Sequence, residues 1–179
     1  MNIPYRIIRS SRRTVAIQIM PGGEVVVRCP KRMGSEEIRK FVEKKSAWIE
    51  KHCVDYASQD ITKFTPQEIE AMKKQAKKLI SERVQHYASR IGVTYGTITI
   101  RTQRTRWGSC SSKGNLSFNC LLALVPPEVL DYVVIHELCH RMEMNHSSRF
   151  WITVEGIMPD YQVHRKWLKE NGSKLIARI

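Results

Sequence analysis

The sequence has little that would staple it, span a bilayer or repeat. Its five cysteines (Cys29, Cys53, Cys110, Cys120, Cys139) are odd in number and scattered, and none forms a CxxC pair. That excludes a disulfide framework and a cysteine-based structural zinc site, and fits reduced thiols. No apolar run is long enough to cross a membrane. The opening MNIPYRIIRSSRR lacks the uninterrupted apolar core of a signal peptide. The expectation is a cytoplasmic protein with no membrane partner. There is no internal repeat, no low-complexity segment and no glycine-rich phosphate loop.

Acidic residues are also scarce: 17 Asp and Glu stand against 30 Lys and Arg, a formal net charge of +13. Such a balance favours anionic partners: a nucleotide, an acidic peptide or a DNA-associated protein. The competing reading is a solvated surface, because the positive residues are spread along the chain. The run KKQAKK, for example, lies opposite Ile69, Met72, Ala76 and Leu79 on its helix and reads as a solvated face.

The 179 residues suffice for a domain with a real core and a smaller lobe. YRIIRSS, TVAIQIM and EVVVRCP read as strands, and the PGG turn makes Thr14 to Cys29 a hairpin. SEEIRKFVEKKSAWIEKH follows as one amphipathic helix, its apolar stripe broken only by Lys45. After the polar DYASQDITKF, Thr65, Pro66 and Glu68 form a capping box that opens a helix running to about Ile91, stopped by Gly92. TITIRTQ reads as a strand, and RTRWGSCSSKGNLSFNCLL as two more around a KGN turn. Pro126 and Pro127 open a helix expected to run to about Asn145. Ser147 caps the next, and Pro159 opens a last one ending near Gly172. The expected domains are residues 1–56, a β-rich lobe with one amphipathic helix, and 57–179, the remainder.

The chemistry concentrates in HELCHRMEMNH, His136 to His146. On a helix, His136 and His140 leave the same face one turn apart, so both imidazoles can bind one metal. Glu137 is displaced by about 100° around the axis. From there it can reach a water on the metal and act as general base. The flanking YVVIHELCH is apolar, and burial makes uncompensated imidazoles and a carboxylate costly. His146 matches the third-ligand spacing of the extended zinc-protease motif, although Glu143 stands where that motif has glycine. Glu155 is the rival third ligand. The alternatives for the histidines are a hydrogen-bonded helix pair and, for His146, a cap or surface residue. Zinc is the expected ion, with nickel, cobalt or manganese as substitutes.

The stretch from RTRWGSC through NHSSRFW resembles the YgjP-like metallopeptidase-type domain family. The shared marks are RWGSC, LSFN, a proline followed by DYVVIHELCH, and NHSSRFW; the likeness extends weakly to FVEKKSAWIEKH. HELCH replaces the HELAH frequent in that family. The resemblance implies an α+β fold: a zincin-like core with a small antiparallel sheet over the active-site HExxH helix, plus the N-terminal β-rich lobe. It also implies His136, His140 and His146 as ligands and Glu137 as base.

The functional expectation is a metal-dependent hydrolase of the metallopeptidase type. The alternatives are a metal-dependent nucleoside-triphosphate pyrophosphatase and a nucleic-acid-associated module with a metal site. For the triphosphate reading, Arg104, Arg106, Lys113, Arg141 and Arg149 are candidate phosphate clamps and Trp107 a candidate base-stacking ring, otherwise a core aromatic. Arg106, Trp107, Tyr161 and His164 are candidate oxyanion or substrate contacts.

Overall fold

The structure, a computed structural model, describes residues 3–20, 23–57 and 62–179. Pro21 and Gly22 of the PGG turn, and 58–61 of the polar stretch, lie outside the described residues. The chain divides into two compact units, Met1–Thr62 and Lys63–Ile179. Helices and two small sheets alternate along it, so the class is α+β.

In the first unit, β1 (Tyr5–Ser10), β2 (Ala16–Ile19) and β3 (Val25–Pro30) form a sheet ordered β1-β3-β2. β2 and β3 pair antiparallel, as the hairpin requires, while β1 runs parallel to β3. The central β3 is where the apolar run VVV belongs: Val25, Val26, Val27 and Cys29 are all buried. The expected single helix is two, α1 (Ser35–Lys44) and α2 (Ser46–Ala57). The break falls at Lys45, the residue that interrupted the apolar stripe, and Ile38, Val42 and Ile49 join the core on either side of it.

In the second unit, α3 (Pro66–Ile91) begins with the capping box: Glu68 N–H donates to Thr65 Oγ1, and Thr65 N–H donates to the Glu68 carboxylate. It ends at Gly92, whose φ of 78° is the left-handed stop a side chain would resist. β4 (Ile98–Arg101), β5 (Gly108–Cys110) and β6 (Leu116–Asn119) form a sheet ordered β4-β6-β5. It is mixed rather than antiparallel: β5 pairs antiparallel with β6 through the KGN turn, but β4 runs parallel to it. The parallel pairing is possible because a long excursion, residues 102–107, the turn and β5, lies between the two strands. A 3-10 turn over Cys120–Leu124 leads to α4 (Pro127–Cys139).

α4 is buried nearly all round, as its continuous apolar sequence demands. It packs on α3, and Asp131 joins the two: Arg83 Nε and Nη2 each donate to its carboxylate at 2.5 Å, and Tyr87 Oη donates at 3.1 Å. α4 ends at Cys139, well before the expected Asn145. There the apolar period stops, and the guanidinium of Arg141 is drawn off to the carbonyls of Thr94 and Ser112. α5 (Ser148–Ile157) follows, with the Phe150 N–H donating to the Ser147 hydroxyl as expected.

α6 (Tyr161–Ile176) does not stop at Gly172. That glycine is a packing requirement rather than a terminator: a Cβ on it would lie 2.8 Å from Cζ2 of Trp107. Among the described residues no helix is long and apolar enough to cross a membrane.

Candidate metal centre

His136 lies in the last turn of α4, His140 caps its C-terminus, and His146 immediately precedes the cap of α5. The turn between the helices folds back so that one ring nitrogen from each lies within 4.8 Å of the others. Nε2 of His136 and Nε2 of His146 are 2.9 Å apart. His140 Nδ1 is 3.0 Å from the Glu143 carbonyl oxygen, which fixes Nδ1 as the donor and leaves Nε2 free for a metal. Glu143 thus supplies a backbone acceptor. The turn needs no glycine there, since no non-glycine residue among those described has positive φ.

Phe150 is fully buried beneath the cluster, its ring 4.9, 4.6 and 4.8 Å from those of His136, His140 and His146. Trp151 closes a second side, 5.8 Å from His136 and 5.7 Å from His146.

This donor set fits a divalent transition metal. Two Nε2 atoms at 2.9 Å can hydrogen-bond only if one carries a proton, and Nδ1 of His136 is buried without any partner. A shared cation satisfies both Nε2 lone pairs at once. Imidazole nitrogens suit zinc, nickel or copper-like ions rather than calcium or magnesium. Burial, then the neighbouring His140, His146 and Arg165, push the His136 imidazole down to about 3, so it is held neutral as a ligand must be. His146 is lowered also, first by burial.

Glu137 is buried, and burial pushes its carboxyl up to about 8, against the opposing field of Arg106. Its carboxylate lies against the backbone of β5: a Cβ on Gly108 would come 2.5 Å from Oε1. The RWGSC segment is therefore beside the HELCH helix, and its glycine makes room for the carboxylate. The loop before it is held by Asn119, whose buried amide donates to the carbonyls of Gln103 and Arg106.

The burial of Glu137 gives a stability prediction for the metal-free protein. A carboxyl raised from 4.5 to about 8 contributes stability that is full below its ordinary pKa and is lost as pH rises through about 8. His136, lowered from 6.5 to about 3, acts oppositely, and its contribution is complete above 6.5. Between these two limits Glu137 dominates. The melting temperature of chelator-treated protein should fall as pH rises from 6.5 toward 8, and Glu137→Gln should flatten that slope. An equal slope in both proteins would refute the assignment.

The other expected residues are less gathered. Arg106 is exposed but close enough to act on Glu137. Trp107 packs its indole against Gly172 and, partly buried, against the main core of the unit, with no ring contact to the histidines. Tyr161 is buried and stacks on Tyr132 and Trp151. His164 pairs with Asp160 at 3.2 Å. Arg141 is consumed by the Thr94 and Ser112 carbonyls, and Arg104 donates to the Ile179 carbonyl at 3.1 Å, so neither is a free phosphate clamp. Lys113 and Arg149 are exposed, as is Glu155, which is not part of the grouped ligand atoms.

Phe150 and Trp151 enter the sequence reading only as letters of NHSSRFW and Asn119 only as the last letter of LSFN, with no role attached, and Arg165 does not enter it.

Fold and site define an α+β protein in which a buried helix and the turn after it gather three imidazoles into a metal-binding arrangement. The chain belongs to the YgjP-like, metallopeptidase domain family, whose model matches residues 13–72 and 65–171. Among solved structures it is similar to the metallopeptidase zymogen abylysin of Pyrococcus abyssi, with 24% identity, a TM-score of 0.46, and 50% of this chain and 93% of that chain covered. It is similar also to the metallopeptidase zymogen jannalysin of Methanocaldococcus jannaschii, with 18% identity, a TM-score of 0.46, and 51% and 95% covered. No curated protein matches the chain.

Proposed function

We propose that the protein is a metal-dependent hydrolase of the metallopeptidase type, with a zincin-like second unit. The observation that carries this reading is the convergence of three imidazole nitrogens within 4.8 Å beside a buried glutamate. His136, His140 and His146 would hold a zinc-class ion through Nε2. When bound, such an ion supplies Lewis acidity, lowering the pKa of water and polarising the oxygen under attack.

Glu137 accepts the proton of the attacking water and returns it to the leaving group. With such an ion held by the three imidazoles, the effect of burial on Glu137 would be reversed and its carboxyl would be ionised and basic. β5 is an edge strand of its sheet and lies against Glu137, so an extended peptide can pair with its free side.

The expected substrate is anionic, and nucleoside-triphosphate hydrolysis is the second reading, favoured by the positive field of Arg106 at the general base. A nucleic-acid-associated module with a structural metal is a weaker third, because structural zinc is normally closed by four protein ligands. The test is a panel of unstructured proteins and nucleoside triphosphates, offered to zinc-loaded protein and to a His146→Ala variant at several ionic strengths. Metal-dependent cleavage of protein alone supports the first reading, and salt-sensitive triphosphate hydrolysis alone supports the second. Full zinc occupancy in His146→Ala would remove that residue from the ligand set.

A further inference from the structure

A cation stands where a metal site should repel one. Arg165, on α6, lies with its guanidinium carbon 4.5 Å from the Trp151 ring centroid. Trp151 in turn stacks on His146 at 5.7 Å and approaches His136 at 5.8 Å. The platform is fixed from behind: Trp151 stacks on Tyr161 at 5.4 Å, and Tyr161 on Tyr132 at 6.3 Å. Arg165 is exposed, and among the described residues no carboxylate pairs with it. The ring it stacks on is the one that closes a side of the histidine cluster, so the guanidinium lies one aromatic layer from two of the three imidazoles.

A positive group held here weakens metal binding by repulsion. No carboxylate among the described residues pairs with the guanidinium itself, so an anion from outside can lower that cost. An anion seated between the guanidinium and the bound ion would be attracted by both. The guanidinium presents a planar fork of donors suited to a two-oxygen group, and stacking on an indole leaves its edge free.

We propose that Arg165 is a substrate-binding, specificity-determining residue that receives an oxyanion group, carboxylate or phosphate, of the substrate beside the metal centre. The proposal rests on the metal-centre reading above. It adds a residue from α6, outside the motif that carries the ligands. Tyr132, Tyr161 and Trp151 act as positioning residues for it.

The test compares Arg165→Gln and Arg165→Lys with Lys169→Gln, which removes an exposed charge from the same helix. Binding of inorganic phosphate and of acetate is read by phosphorus and proton NMR titration, on zinc-loaded and chelator-treated protein. Zinc affinity is read by competition with a chromophoric chelator.

In Arg165→Gln we expect oxyanion binding to weaken about tenfold while zinc affinity rises roughly threefold to tenfold, because a repelling charge has gone. Arg165→Lys should retain zinc affinity near wild type but recover only part of the oxyanion binding. Lys169→Gln should move neither by more than about twofold. Whichever of phosphate and acetate binds wild type more tightly names the substrate group.

The proposal is overturned if Arg165→Gln changes oxyanion binding no more than Lys169→Gln does. It is also overturned if Arg165→Gln loses zinc, which would make the residue structural. If wild type takes up no zinc, the metal-centre reading fails separately, while the chelator-treated titrations still report on Arg165.

Discussion

Replacing Glu137 by glutamine should leave the metal content unchanged and reduce turnover by about a hundredfold to ten-thousandfold, the range expected for losing a positioned general base. That corresponds to roughly 2.7–5.4 kcal/mol of transition-state stabilisation. Glutamine keeps the shape that fits against Gly108, where Oε1 would lie only 2.5 Å from an added Cβ, so packing is preserved and only basicity is lost. The measurements are metal analysis and single-turnover hydrolysis on the same preparation. Unaltered turnover with unaltered metal would show that another group activates the water.

Phe150→Ala carries the largest expected effect on stability. The ring is fully buried, touches all three imidazoles and belongs to the main core of the second unit. Truncating a buried phenylalanine costs about 3–5 kcal/mol. Against a typical total of about 5–15 kcal/mol, that removes a large share of the folding free energy. The same change takes away the floor on which the histidines rest, and metal affinity should fall tenfold or more. Urea unfolding of metal-free protein separates the two effects, since the stability loss should persist without metal. A loss below about 1 kcal/mol would mean the cluster is held by the turn alone.

What could be read from the sequence was what depends on neighbours along the chain. The capping box at Thr65 and Glu68, the stop at Gly92, the Ser147 cap and the β2–β3 and β5–β6 hairpins are local, and each appears where expected. The pairing of His136 with His140 follows from helical spacing in the same way. What was not legible depends on partners far away. The parallel placement of β1 and β4 leaves no mark in their own residues. Gly172 reads as a helix stop until Trp107 is found against it. Beyond the early end of α4, Arg141 reaches Thr94 and Ser112, neither of them near it in sequence. Arg165 is one of many basic residues until its place over Trp151 is known.

The three imidazoles all come from one short segment, His136 to His146, in contrast to the ties that reach across the unit from Arg83 to Asp131 or from Gly108 to Glu137. This has a thermodynamic consequence. Closing so short a loop around an ion costs little chain entropy, so the unfolded polypeptide keeps part of the affinity of the native site. An ion that binds both states stabilises the native one only by the difference. The midpoint of unfolding should therefore rise less with added metal than the native dissociation constant alone implies. Metal can also engage this segment before the distant contacts of the unit have formed, so loading need not wait for folding to finish.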